Sequence, residues 1–211
     1  RITLIRNGAM MPELSPSRRR ALRERVRDQW NIPKDETVYL FAAFNPRLKG
    51  IEPLLHAARR IKQQGVPFVL MLAGQFENAQ RRLAVKFGLR DHLRQVGTTN
   101  EMASLYCAAD VTVMPSYYDA ASKVVIESLM MGTPAISTVY NGASDLIVPA
   151  HSHPRGRVIE DPNDASTLAQ AMADLADAET RNRCKDATAG LFDQLSIERH
   201  VDALERVLLD T

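Results

Sequence analysis

The segment SYYDAASKVVIE, residues 116–127, sets two carboxylates, Asp119 and Glu127, eight positions apart with Lys123 between them. With a helix beginning near Ala120, Lys123 and Glu127 fall four apart on one face, and that face points back toward the turn holding Asp119. Val124, Val125, Ile126, Leu129 and Met130 surround Glu127 with apolar neighbours. Its carboxylate is therefore expected to be partly buried and to need donors. Two readings stand open: a local ion pair with Lys123, in the less favourable Lys-before-Glu order, or a ligand's vicinal diol on the two carboxylate oxygens. A second candidate is NPRLKG, residues 45–50, where Arg47 and Lys49 directly precede a helical pattern. They are either solvated loop cations or a phosphate cradle at a helix N-terminus.

These residues need a frame that brings them together. Short apolar runs at 38–44, 67–74, 93–97, 111–115, 134–138 and 157–160 alternate with helical patterns at 50–64, 78–87, 101–108, 122–131 and 143–148. Near-continuous apolar strands in such alternation predict βα units and a parallel sheet covered on both faces. From about residue 164 the pattern becomes purely helical, through 180–190 and 197–209. The expected fold is one doubly wound, Rossmann-like α/β domain over 1–211, with a helical tail over about 164–211. Ligands of such sheets bind beyond the carboxyl ends of the strands. There the sequence places NPRLKG, then Gly74, then Thr98, then the 116–127 segment, and last VYNGASD at 139–145.

Composition narrows the class. Apolar residues make up 45% and charged residues 25% of 211, as in an ordinary globular chain, which excludes fibrous and broadly disordered proteins. A formal charge of +2 gives little general attraction for nucleic acid or membranes. Two distant cysteines, Cys107 and Cys184, point to a reducing compartment rather than a disulfide framework, and Cys107 reads as a small core residue. The longest apolar run, 68–74, is far short of the roughly 20 residues that span a bilayer. The start, RITLIRNG, has no signal-peptide pattern and opens on a strand-like run at 2–5, so it reads as a cut inside a longer protein.

A helix at 17–30 carries Arg18, Arg19, Arg20, Arg23, Arg25 and Arg27 outside a stripe of Leu22, Val26 and Trp30. The arginines are expected to face outward. They form either a solvated face or a patch for anionic lipid headgroups or a phosphorylated acceptor. His151 and His153 have no cysteine or carboxylate at a metal-binding spacing and read as an exposed loop.

The residues from Ser116 to Ile136, SYYDAASKVVIESLMMGTPAI, resemble the signature of the GT-B glycosyltransferases of the large retaining family 4. That family shows Pro-Ser, an acidic residue, seven residues, Glu, and a Gly-x-Pro end. Here these are Pro115-Ser116, Asp119, Glu127 and Gly132-Thr133-Pro134. IRNG at 5–8, LKG at 48–50, LAG at 72–74, VG at 96–97 and AAD at 108–110 follow in the family's order, with NGASDLI where it has a Gly-x-x-acid turn. DAASKVVIE is similar to the lipopolysaccharide-core branch. The resemblance spans essentially the whole chain.

It implies the C-terminal, donor-binding half of a GT-B enzyme that moves a hexose, with retention, from a nucleotide sugar to a glycan or lipid-linked acceptor. UDP is the usual base. The N-terminal acceptor domain would lie outside this chain, which is expected to be inactive alone. Glu127 would accept from the ribose hydroxyls and Asp119 from the transferred sugar. Backbone N–H groups near Ala120, Ala121 and Ser122 would face the sugar or diphosphate. Lys49, with Arg47, would neutralise the leaving group without a metal or other cofactor, and residues around Gly74 and Thr98 would border the nucleotide. Asp119, Glu127 and Lys49 are the implied catalytic set. The implied location is cytoplasmic, with peripheral contact at the inner face of the membrane.

The chain departs from the family in four places. Asp119 stands for Glu, Ser122 for Gly and Lys123 for an aliphatic residue, while Phe44 lies near the place of the family arginine. Arg47 and Lys123 are expected to restore the lost phosphate charge together. Two rival readings remain: a GT-B nucleotide-sugar epimerase, and a non-catalytic Rossmann-like module that binds a protein or a regulatory nucleotide.

Overall fold

A computed structural model describes residues 3–209. The chain opens with α1 (Pro16–Gln29), whose N-cap Ser15 accepts the Arg18 N–H. It then alternates β1 (Thr37–Ala43), α2 (Ile51–Gln63), β2 (Phe68–Gly74), α3 (Asn78–Lys86), β3 (Leu93–Gly97), α4 (Met102–Ala108), β4 (Val111–Met114), α5 (Lys123–Met130), β5 (Ala135–Thr138), α6 (Ser144–Ile147) and β6 (Gly156–Ile159). The rest of the chain, α7 (Ala165–Ala176), α8 (Ala178–Asp186), α9 (Leu191–Gln194) and α10 (Ile197–Leu209), is helical.

Six strands form one parallel sheet in the order β3-β2-β1-β4-β5-β6 among the described residues. The apolar runs predicted this because the central strands β1, β2, β4 and β5 are buried on both faces, whereas the edge strands β3 and β6 are only partly buried. Tyr39, Phe41, Leu70 and Leu72 join the core under α2 and α7, while Val38, Leu40, Val69 and Met71 join the one under α1 and α4. The strand order reverses direction between β1 and β4. At that switch point the strand ends and helix starts diverge and leave a crevice.

Two glycines shape its edge. Gly50, at φ 81°, caps α2, and a Cβ there would fall 2.0 Å from the Pro115 carbonyl oxygen. This close approach draws the NPRLKG loop onto the end of β4. A Cβ on Gly142 would fall 1.8 Å from the Ala120 carbonyl oxygen, so the turn after β5 lies directly on the 119–122 segment.

Several expectations are corrected. Residues 3–7 form no strand, Ile2 lies outside the described residues, and Ala9 makes only an isolated bridge to Ser196. The helix expected over 180–190 ends at Asp186. Cys107 is half-buried rather than core, whereas Cys184 is buried.

The arginines of α1 do not all face outward. Arg23 and Arg27 turn inward onto Asp110, each at 2.6 Å, and Arg27 is buried. Arg19 donates to the Leu14 and Met131 carbonyls. Arg23 and Arg27 reach over the end of α4, and Arg19 over the end of α5, to carbonyls that would otherwise lack donors. Arg18, Arg20 and Arg25 remain exposed.

Candidate functional site

At the switch point a cavity of about 550 Å3 opens among the ends of β1, β2, β3 and β4 and the start of α5. That volume lies within the usual range for small-molecule sites. Its floor includes Ala42, Ala73, Met114 and Val124. Besides Thr99, its polar lining includes Lys49, Thr98, Asp119, Ser122, Lys123 and Glu127, with Gly74 at the wall. Sequence reasoning had named all seven of those polar and glycine positions. Phe44, 90% exposed, and Asn45 complete the rim.

The structure does not bring every candidate there. Ala120 and Ala121 do not line the cavity. Arg47 lies outside it as well, paired at the surface with Glu77 at 2.7 Å. Of the two cations in NPRLKG, only Lys49 turns inward. Its ammonium sits 2.6 Å from Asp119 Oδ2 and 3.3 Å from the Tyr118 carbonyl oxygen.

The 116–122 segment is irregular, with bends at Tyr117, Ala120 and Ala121, and α5 begins at Lys123, one residue into the 122–131 pattern and three past the Ala120 start considered for its face. A bridge between Asp119 and Asn141 holds it open: Asp119 N–H donates to the Tyr140 carbonyl and Gly142 N–H to the Asp119 carbonyl. Buried Asn141 Oδ1 accepts the Ser122 and Ala143 N–H groups, while its Nδ2 donates to Ser137 Oγ. Ser122 N–H is therefore engaged by Asn141. The N–H groups that α5 leaves without intrahelical acceptors are those of Lys123 and Val124, and both residues line the cavity. A helix start of this kind favours an anion.

Glu127 projects from α5 one turn on. Among the described residues no ion pair joins it to Lys123; the fully buried Tyr106 donates its hydroxyl to Glu127 Oε2 at 2.9 Å. Burial raises the pKa of Glu127, and the Tyr106 hydrogen bond and the Lys123 charge partly offset it. Burial and the same carboxylate push the Tyr106 hydroxyl well above its ordinary range, so it stays a donor. Oε2 is held by the protein, while Oε1 accepts no hydrogen bond from the described residues. Sequence reasoning passed over Tyr106, although a tyrosine inside an apolar helix needs a partner for its hydroxyl.

The cavity thus combines an apolar floor, a lysine against a carboxylate, a helix start and a clamped glutamate. Against known proteins, residues 23–190 match the family described as glycosyl transferases group 1. The chain belongs to that family.

The group 1 chain is 29% identical over 192 residues to a D-inositol 3-phosphate glycosyltransferase of Corynebacterium kroppenstedtii, covering 82% of this chain and 40% of the relative. Among solved structures it is similar to WaaG, a glycosyltransferase involved in lipopolysaccharide biosynthesis. The TM-score is 0.79 at 22% identity, over 92% of this chain and 53% of the other. Anabaena Alr3699/HepE in complex with UDP and glucose gives 0.77 at 16% identity, over 94% and 53%. These likenesses show the GT-B type of fold. The chain spans about half or less of each protein's length.

Among the described residues, no group of three or more His, Cys, Asp or Glu side chains is placed to hold a metal ion, and His151 and His153 are exposed. No described helix is long and apolar enough to cross a membrane.

Proposed function

We propose that this chain is the donor-binding half of a retaining family 4 hexosyltransferase, and that the switch-point cavity takes a UDP-sugar. The observation that carries this reading is the convergence of Lys49, Asp119, the start of α5 and Glu127 on one cavity. Free Oε1 of Glu127 suits a ribose hydroxyl, because Tyr106 fixes the carboxylate from the other side. The start of α5 and the Lys49 and Lys123 ammoniums suit a diphosphate. Asp119, paired with Lys49, would then accept from hydroxyls of the transferred sugar.

In the whole enzyme a second, N-terminal domain would present the acceptor, a glycan or lipid-linked molecule, at the cytoplasmic face of a membrane. Transfer would then proceed without a metal. The solved HepE complexes, with UDP and UDP-glucose, support UDP as the base. The lipopolysaccharide-core branch is favoured by DAASKVVIE and the likeness to WaaG. On this reading the chain alone binds donor and transfers nothing.

Calorimetric titration with UDP, GDP and ADP, then with their sugars, tests it. One diphosphate is expected to bind, and Glu127→Ala to weaken it at least tenfold, about 1.4 kcal/mol. No binding at millimolar ligand, or no loss in the variant, would overturn the assignment of this cavity.

The clamp on Glu127 gives a pH prediction. A carboxyl whose pKa is raised in the folded protein loses its charge at a higher pH than an ordinary glutamate as the solution is acidified. Donor affinity that needs ionised Glu127 therefore falls on the acid side above the usual range near pH 4.3. Tyr106→Phe removes a hydrogen bond that favours the charged form, so its acid limb should move to still higher pH. Affinity of the two proteins measured from about pH 5 to 8 checks this. Superimposable profiles would sink the positioning role of Tyr106.

A further inference from the structure

A second cavity, of about 540 Å3, opens at the opposite edge of the sheet. Its walls are α1, α8, the turn before β4 at Ala109 and Asp110, and the turn before β5 at Thr133 and Pro134. Strand starts border it, whereas strand ends border the switch-point cavity, so the two openings are distinct.

The lining is basic. Arg19, Arg20, Arg23, Arg181 and Lys185 face it, against one lining carboxylate, Asp110, among the described residues. Asp110 is already consumed by Arg23, Arg27 and the Val38 N–H. Among the described residues no carboxylate forms a salt bridge with the remaining cations, although Asp177 lies near enough to attract Arg181. Arg19 spends Nε and Nη1 on the neutral carbonyls of Leu14 and Met131, and Arg181 spends Nη1 on those of Leu175 and Ala176. These bonds fix each guanidinium in place but leave its charge intact, and Nη2 of each keeps no acceptor among the described residues. Arg20 and Lys185 are exposed at the mouth and pair with no described carboxylate.

The charges also bear on one point. Burial raises the pKa of the half-buried Cys107 thiol at the cavity wall, and Arg19, Arg23 and Lys185 all act to lower it. Holding several cations together with so few counter-charges costs free energy that a ligand with several anionic oxygens would return. Guanidinium forks fixed in advance match phosphate, since the ordering of the side chains is already complete before binding.

We propose that this cleft is a second anion site and takes a soluble small molecule that carries a phosphate or diphosphate group. The concave wall argues for such a ligand over the lipid surface that an outward-facing arginine helix would suit, because Arg19 and Arg23 turn into the cleft.

The test is titration of the chain with inorganic pyrophosphate at about 50 mM salt, where screening is weak. The double variant Arg20→Ala/Lys185→Ala alters only exposed side chains, so its circular dichroism and Tm should match the parent. It is expected to bind pyrophosphate at least tenfold more weakly. Lys49→Ala/Lys123→Ala, which strips the other cavity of its ammoniums, is expected to keep the cleft's affinity. Loss confined to the Lys49→Ala/Lys123→Ala protein, or no heat at millimolar pyrophosphate, would each overturn the proposal. Sedimentation with phosphatidylglycerol vesicles, against phosphatidylcholine vesicles, separates the lipid source. No vesicle binding is expected. Binding to phosphatidylglycerol that the Arg20→Ala/Lys185→Ala change abolishes, without pyrophosphate binding, would replace the soluble ligand with a membrane surface.

Discussion

Asp110→Asn should destabilise the fold by about 3–5 kcal/mol, the usual cost of stripping one partner from a buried ion pair. Asp110 and Arg27 are each 9% exposed in their side chains, and Arg27 also donates to the Ala108 carbonyl. An asparagine keeps one oxygen, which could still accept the Val38 N–H. Its amide group is a donor, however, and would face the guanidinium of Arg23 or Arg27. A buried arginine would then lose its counter-charge with no water to replace it. At about 2–4 °C per kcal/mol for a chain of this size, Tm should fall by roughly 6–20 °C. Arg23→Ala should cost far less, since Arg23 is 35% exposed and Arg27 would still hold Asp110.

The pH dependence gives this prediction a second arm. Burial works to raise the pKa of Asp110, but Arg23, Arg27 and the Val38 N–H outweigh it and hold the carboxyl below its ordinary range. A depressed acid pKa stabilises the fold above the unfolded value near 3.9, and that contribution disappears as the pH falls through the folded value. The gap between parent and Asp110→Asn should accordingly be full at pH 7 and shrink in acid below about pH 4. Thermal unfolding of both proteins at the two pH values measures it. A difference under about 1 kcal/mol at pH 7 would mean that the triad is solvated and not a structural clamp.

This triad also marks where sequence reasoning stopped. The sheet was legible because strands buried on both faces must be apolar along their whole length, and the 38–44 and 67–74 runs are. The cavity was legible because ligand-facing residues sit in the turns that follow such strands, which is how Lys49, Gly74 and Thr98 came to be named together with Asp119 and Glu127. The arginines of α1 misled because helical periodicity sorts side chains by face but does not reveal a partner more than eighty residues away. Asp110 was visible only within AAD. The turn before α5 was illegible for the same reason: the apolar pattern over 122–131 placed the helix, but nothing in it shows that Asn141 and Tyr140, from another strand's turn, tie residues 119–122 down outside it. Local pattern set the elements, and long-range hydrogen bonds set their ends.

The second large effect concerns Lys49 and Asp119, and rests on the proposed transfer. Lys49→Ala in the full-length enzyme should lower kcat/KM by about 10²–10³, the loss that follows removal of one group stabilising charge on a leaving oxygen. Asp119→Asn should split binding from transfer. In the free protein the Asp119 carboxylate holds the Lys49 ammonium at 2.6 Å, with both side chains largely shielded from solvent. An arriving diphosphate must compete for that ammonium and approach a carboxylate of like charge. Asparagine relieves both, so UDP affinity should rise by about fivefold, the scale of a partly exposed pair near 1 kcal/mol. Transfer from the UDP-sugar should nonetheless fall by at least about 10²-fold, because the contact to the sugar is lost where charge develops. Tighter UDP binding with slower transfer would assign Asp119 to the sugar and Lys49 to the phosphates. If Asp119→Asn weakens UDP binding and transfer equally, the carboxylate serves only to position Lys49, and its role toward the sugar falls.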